Sequence, residues 1–179
     1  MRFRRRRAAA LRSAVLVPLP AAGEALEAAG LPAAGIGAPQ GTPPHITVLF
    51  PFLDPGPALD EAHRDLGDMA AATPAFEVAL RATGRFPGVL YLLPDRSAPF
   101  VELTRAVAAR WPDHPPYGGA YNAIIPHLTV CAGEEPADFE QRIEAMLPVH
   151  DRAQELWLMA ERRDGRWERA AAFALGAGG

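Results

Sequence analysis

The chain has 179 residues, 49% of them hydrophobic and 22% charged, with a formal charge of −3. That size and balance fit one soluble domain with a real core, and no apolar run reaches the length of a transmembrane helix. The single cysteine, Cys131, excludes an internal disulfide and a cysteine-based zinc site, and reads as a small packed residue.

Taken in chain order, residues 1–12 hold six Arg and no acid, and are expected to be a disordered, solubilising arm. The remaining 12 Arg face 21 acids, so the body is near −9. It lacks the broad basic face that grips long nucleic acid. Arg12 and Ser13 interrupt the apolar run behind the arm and Pro18 and Pro20 end it. Residues 14–17 therefore read as the first strand and not as a signal segment.

A short helix over 23–29 and a Gly/Pro-rich stretch over 30–44 follow, then a strand over 45–52 closed by Pro51 and Pro55. Leu59, Leu66 and Met69 give a helix over 59–71 that stops before Pro74. Phe76, Val78 and Leu80 mark a strand over 76–83, residues 84–88 turn the chain, and 89–93 form the next strand. The second half repeats the order: a helix over 99–111, a Pro/Gly/Tyr loop over 112–122, a strand over 123–131 and a helix over 136–147. A hairpin of 155–160 and 167–175 closes it across Asp164-Gly165. The chain is thus expected to be α+β, with a duplicated strand–helix–strand unit. Two pseudo-symmetric lobes with antiparallel-rich sheets would face a central cleft, forming one bilobal domain over 13–179.

Two tetrapeptides stand out, His45-Ile46-Thr47-Val48 and His127-Leu128-Thr129-Val130. On a strand each His shares a face with its Thr, while the aliphatic pair faces the other way. With five His and six Thr in the chain, two such coincidences arise by chance roughly one time in a hundred. One site with two similar halves is the better explanation. At neutral pH one imidazole can accept a proton while the second donates one, and the hydroxyls can donate to oxygens gaining charge. In-line displacement at a phosphodiester needs acid and base on opposite sides. Two His without a carboxylate make a poor zinc site. Neither Ser13 nor Ser97, the two serines, sits in a nucleophile elbow.

In its doubled motif, its spacing of about eighty residues and its duplicated α/β order, the chain resembles the 2H phosphoesterase superfamily. Within it, the chain is similar to the 2′-5′ RNA ligase and cyclic phosphodiesterase (LigT-like) group. The likeness runs from Ser13 to Leu175. It includes Pro43-Pro44-His45, Gly84-Arg85-Phe86-Pro87-Gly88 and residues 111–119, which are like those of bacterial 2′-5′ RNA ligases. The resemblance implies metal-independent, cofactor-free action on a 2′,3′-cyclic phosphate or a 2′-5′ linkage. It makes His45 and His127 the acid–base pair and Thr47 and Thr129 the donors to phosphate oxygens.

Because the body is acidic, a small nucleotide or an RNA terminus is the expected partner, with no membrane, for a cytoplasmic monomer. Tyr117 could stack on a base, and Arg85 and Phe52 could line the cleft. His63, His114 and His150 are expected to be surface or local structure. The competing readings are a non-catalytic nucleotide or RNA-end binding module on the same fold, and a structural domain recruited by the Arg-rich arm.

Overall fold

The computed structural model describes residues 11–120 and 123–176. Its elements in chain order are β1 Ser13–Pro18, α1 Pro20–Ala28, β2 His45–Leu49, α2 Pro57–Ala72, β3 Phe76–Phe86 and β4 Val89–Pro94. They continue with α3 Ala98–Arg110, β5 Leu128–Ala132, α4 Phe139–Met146, β6 Val149–Ala153, β7 Glu155–Glu161 and β8 Trp167–Ala174. The strands form two four-stranded sheets, ordered β2-β1-β7-β8 and β5-β4-β3-β6, in which every neighbouring pair is antiparallel. The α+β class and the two matching sheets expected from sequence are present.

The repeat crosses between the sheets. A lobe does not keep the hairpin that follows its own motif strand. After β2 and α2 the chain crosses to the second sheet, where β3 lies beside β4. After β5 and α4 it lays down β6 there and returns to the first sheet, where β7 lies beside β1. The halves therefore exchange strands, and one continuous cluster of buried apolar side chains draws on both sheets and all four helices.

Each element follows from local chemistry. All six residues of β1 are buried, because Val15 and Val17 join the main core while Ala14 and Leu16 pack with Met159 and Trp167 on the other face. Both faces covered give the continuous apolar run seen in sequence. Helix α1 starts on Pro20, where a missing N–H costs nothing. Its Ala21 N–H donates to Asp151 Oδ2 at 2.8 Å, a cap supplied by β6.

Several expected boundaries move. Strand β3 runs on through Phe86, so the turn shrinks to Pro87-Gly88, with Gly88 at φ 72. Strand β5 starts only at Leu128, since Pro126 has no N–H to give a ladder. Strand β6 was not expected, because Val-His-Asp-Arg-Ala is too polar to read as a strand. As an edge strand it buries only Val149 and Ala153. His150, expected near a turn, stands exposed on it. Of the arm expected over 1–12, residues 1–10 lie outside the described residues, and Arg12 is ion-paired to Glu161. No helix among the described residues is long and apolar enough to cross a membrane.

Candidate active site

The two motif strands, β2 and β5, are the inner edges of their sheets and lie in contact with each other. Ile46 and Val48, and likewise Leu128 and Val130, are fully buried, while His45, Thr47, His127 and Thr129 are half-buried. A one-residue slip of either strand would put His and Thr in the core and expose its aliphatic pair. Burial of one such side chain is worth about 1.5–3 kcal/mol, so the register is firmly set.

Both strands also carry the same irregularity. Opposite β1 the pairing jumps from Thr47 to Leu49, and opposite β4 from Thr129 to Cys131. Such a bulge resets the alternation. Leu49 and Cys131 are buried beside Val48 and Val130, and Phe50 and Ala132 return to the cleft.

A cleft of about 390 Å³ brings His45, Thr47, His127 and Thr129 together with Tyr117, Arg12, Phe50 and Trp167. A recess of about 420 Å³ shares His127, Thr129 and Tyr117 and continues along Phe86, Val89 and Ile125. The stretch 30–44 lines the cleft on the way to His45. Its Ile36 N–H donates to Val130 O at 2.9 Å, and Gln40 O accepts from Trp167 N–H at 2.8 Å, tying it to both sheets. Gly35 and Gly37 sit at φ 85 and 75 against the β5 backbone, an approach that leaves no room for a Cβ.

Each histidine is oriented by the same short contact. His45 Nδ1–H donates to Pro43 O at 2.7 Å, and His127 Nδ1–H donates to Ile125 O at 2.7 Å. A carbonyl can only accept, so Nδ1 carries hydrogen and Nε2 is left for proton transfer. Burial lowers the pKa of both imidazoles, opposed by these carbonyls, and the proximity of His127 lowers that of His45 further. His127 also packs against Phe86 and Tyr91, with ring centroids 5.2 and 4.9 Å away.

The four motif residues and Tyr117 meet as the sequence suggested. Tyr117 sits in a 3₁₀ turn, Pro116–Gly119, and its N–H donates to Phe50 O at 2.7 Å. Arg85 and Phe52 do not meet them. Because β3 continues through residue 86, alternation turns Arg85 away from Gly84 and Phe86, and it pairs with Glu135 and Glu140 at 2.6 and 2.7 Å. Phe52 is 3% exposed and packs edge-on against Trp111 at 5.0 Å. Sequence reasoning missed Arg12, Phe50, Trp167, Phe86 and Tyr91. A bulge after Thr47 has no sequence signature that would have singled out Phe50. Among the described residues, no three His, Cys, Asp or Glu side chains gather in a group that could hold a metal.

The profile of the 2′-5′ RNA ligase superfamily matches residues 17–165, which span both motifs. The chain belongs to that superfamily. The family is the one its doubled motif resembles, the 2H or LigT-like phosphoesterases. No curated protein matches the chain significantly. Among solved structures, TT0787 of Thermus thermophilus is 19% identical, with 94% of this chain and all of that one covered and a TM-score of 0.59. Escherichia coli LigT complexed with phosphate is 20% identical, covering 93% and 98%, with a TM-score of 0.59. LigT complexed with 3′-AMP is 19% identical, covering 93% and 99%, with a TM-score of 0.58. These likenesses establish the superfamily's fold in this chain.

Proposed function

We propose that this protein is a metal-independent phosphodiesterase acting on 2′,3′-cyclic phosphates or 2′-5′ linkages of RNA ends or small nucleotides. The observation that carries this reading is the pair of His/Thr faces on adjoining strands. Each imidazole has Nδ1 held by a carbonyl and Nε2 left for the reaction. The family supports a phosphoesterase. E. coli LigT, solved with 3′-AMP, ATP and NADP+, supports a nucleotide as the ligand class.

In the hydrolytic direction a water oxygen attacks phosphorus, and one Nε2 takes the water proton. The P–O bond opposite breaks, and the second imidazole, protonated beforehand, gives its Nε2 proton to the departing ribose oxygen. Thr47 and Thr129 donate to the non-bridging oxygens as charge builds on them. With a 5′-hydroxyl in place of water as the nucleophile, the same pair drives attack on a 2′,3′-cyclic phosphate, the P–O3′ bond breaks, and two RNA ends are joined through a 2′-5′ bond. The cleft suits a nucleotide or an RNA terminus, and the protein acts as a cytoplasmic monomer without a membrane partner.

The test is hydrolysis of the four nucleoside 2′,3′-cyclic monophosphates in EDTA, parent beside His45→Ala and His127→Ala. Product from the parent alone is expected. Equal turnover by all three proteins contradicts acid–base catalysis by this pair. Nucleotide binding without product from the parent favours a binding module on the same fold.

A further inference from the structure

Arg12 is fixed with unusual care for a residue beside an Arg-rich terminus. Its Nε donates to Glu161 Oε2 and one Nη to Glu161 Oε1, each at 2.8 Å. Its guanidinium lies 5.7 Å from the ring centroids of both Phe50 and Trp167, which are 6.1 Å apart. The Arg12 side chain is 51% exposed while its Glu161 partner is 15% exposed, so the free side of the pair belongs to the guanidinium. Among the described residues, Arg12 is also the one Arg, Asp or Glu that lines the cleft holding both histidines.

We propose that Arg12 and Phe50 form a nucleobase subsite that prefers guanine to adenine; this rests on the reading of the cleft as a nucleotide site. A guanidinium carries five N–H donors and Glu161 takes two, leaving three N–H for a ligand. The neighbouring carboxylate cancels the arginine's charge, which makes it a weak sink for a second phosphate. It keeps planar donors for neutral acceptors. Trp167, 7% exposed, packs beside the Arg12 guanidinium. Phe50 is half-buried and offers a face, and its carbonyl anchors Tyr117 across the same end of the cleft.

A base stacked on that aromatic wall would turn its edge to Arg12. Guanine presents O6 and N7, two adjacent acceptors that match a bidentate arginine. Adenine puts an amino donor beside N7, where it would meet the arginine's own N–H. A good bidentate pair corresponds to about ten- to a hundredfold discrimination.

The experiment is calorimetric titration of 3′-GMP and 3′-AMP into the parent, Arg12→Met and Phe50→Leu. The parent should bind 3′-GMP about ten- to a hundredfold more tightly. Arg12→Met should bring the two nucleotides close together, and Phe50→Leu should weaken both. Equal affinities in the parent overturn the subsite, as does a guanine preference that survives Arg12→Met. The parent's ratio needs no variant, so it decides the matter even if Arg12→Met fails to fold. Binding needs no turnover either. Guanine preference without hydrolysis of any cyclic nucleotide or 2′-5′-linked dinucleotide would sink the phosphodiesterase reading and keep the subsite. Hydrolysis without preference would do the reverse.

Discussion

His45 and His127 share a backbone arrangement, each donating Nδ1–H to the carbonyl two residues earlier and each followed by a bulge after its threonine. Their surroundings differ. His127 has the rings of Phe86 and Tyr91 against it, with centroids 5.2 and 4.9 Å away. His45 has no such ring partner among the described residues; burial opposes the charging of both imidazoles, and at His45 the proximity of His127 adds to it. Matching backbones thus fix matching geometry, while the packing around the two rings is unlike. We propose that in this hydrolysis His45 is the base and His127 the acid, since the added opposition to charge falls on His45.

The largest effect should come from removing either imidazole. His45→Ala and His127→Ala should each lower kcat by about 10²–10⁴, with circular dichroism confirming the fold. A large loss in only one of them would break the pairing of the halves. Next, Thr47→Val and Thr129→Val should each cost about 10²–10³ in kcat, as for loss of one donor to a developing oxyanion. Comparable losses would show that both hydroxyls face the same phosphate; an effect from one alone would confine the donor role to a single half.

A third variant sharpens the contrast. Gly84 leaves the space that Tyr91 occupies, and a Cβ there would stand 2.6 Å from Tyr91 Cζ. Gly84→Ala should cost about 1–3 kcal/mol in urea unfolding. It should also disturb His127 and leave His45 untouched, as imidazole NMR shifts would record. The smallest effect is expected from Arg85→Gln, which loses ion pairs on the surface and nothing in the cleft. Its kcat, KM and Tm should match the parent's; a raised KM would return Arg85 to the substrate.

The catalytic candidates were legible because strand alternation is a local rule. His45 with Thr47 and His127 with Thr129 needed only period two and buried neighbours. Phe50 was missed because the bulge at Val48 depends on pairing with β1, a partner some thirty residues away. It sends Phe50 to the cleft, while Phe52 lies past the end of β2 and packs on Trp111. Arg85 was misjudged because Gly84 looks like a turn residue, whereas it sits in β3 to make room for Tyr91. The exchanged hairpins were invisible for a similar reason. Which sheet receives β3 and β7 is settled by long-range burial, and both choices present the same local pattern.

The division of labour between the histidines is tested most directly by the pH dependence of kcat/KM in the parent and the two alanine variants. Both pKa values lie below 6.5 in the free protein. The active form needs His45 neutral and His127 protonated, so the parent's bell should peak on the acid side of 6.5. Bound phosphate favours the imidazolium, and the alkaline limb of kcat should lie above that of kcat/KM. The residual activity of His45→Ala should lose the acid limb, and that of His127→Ala the alkaline limb. An unchanged bell in either variant, or the opposite loss, would contradict the assignment.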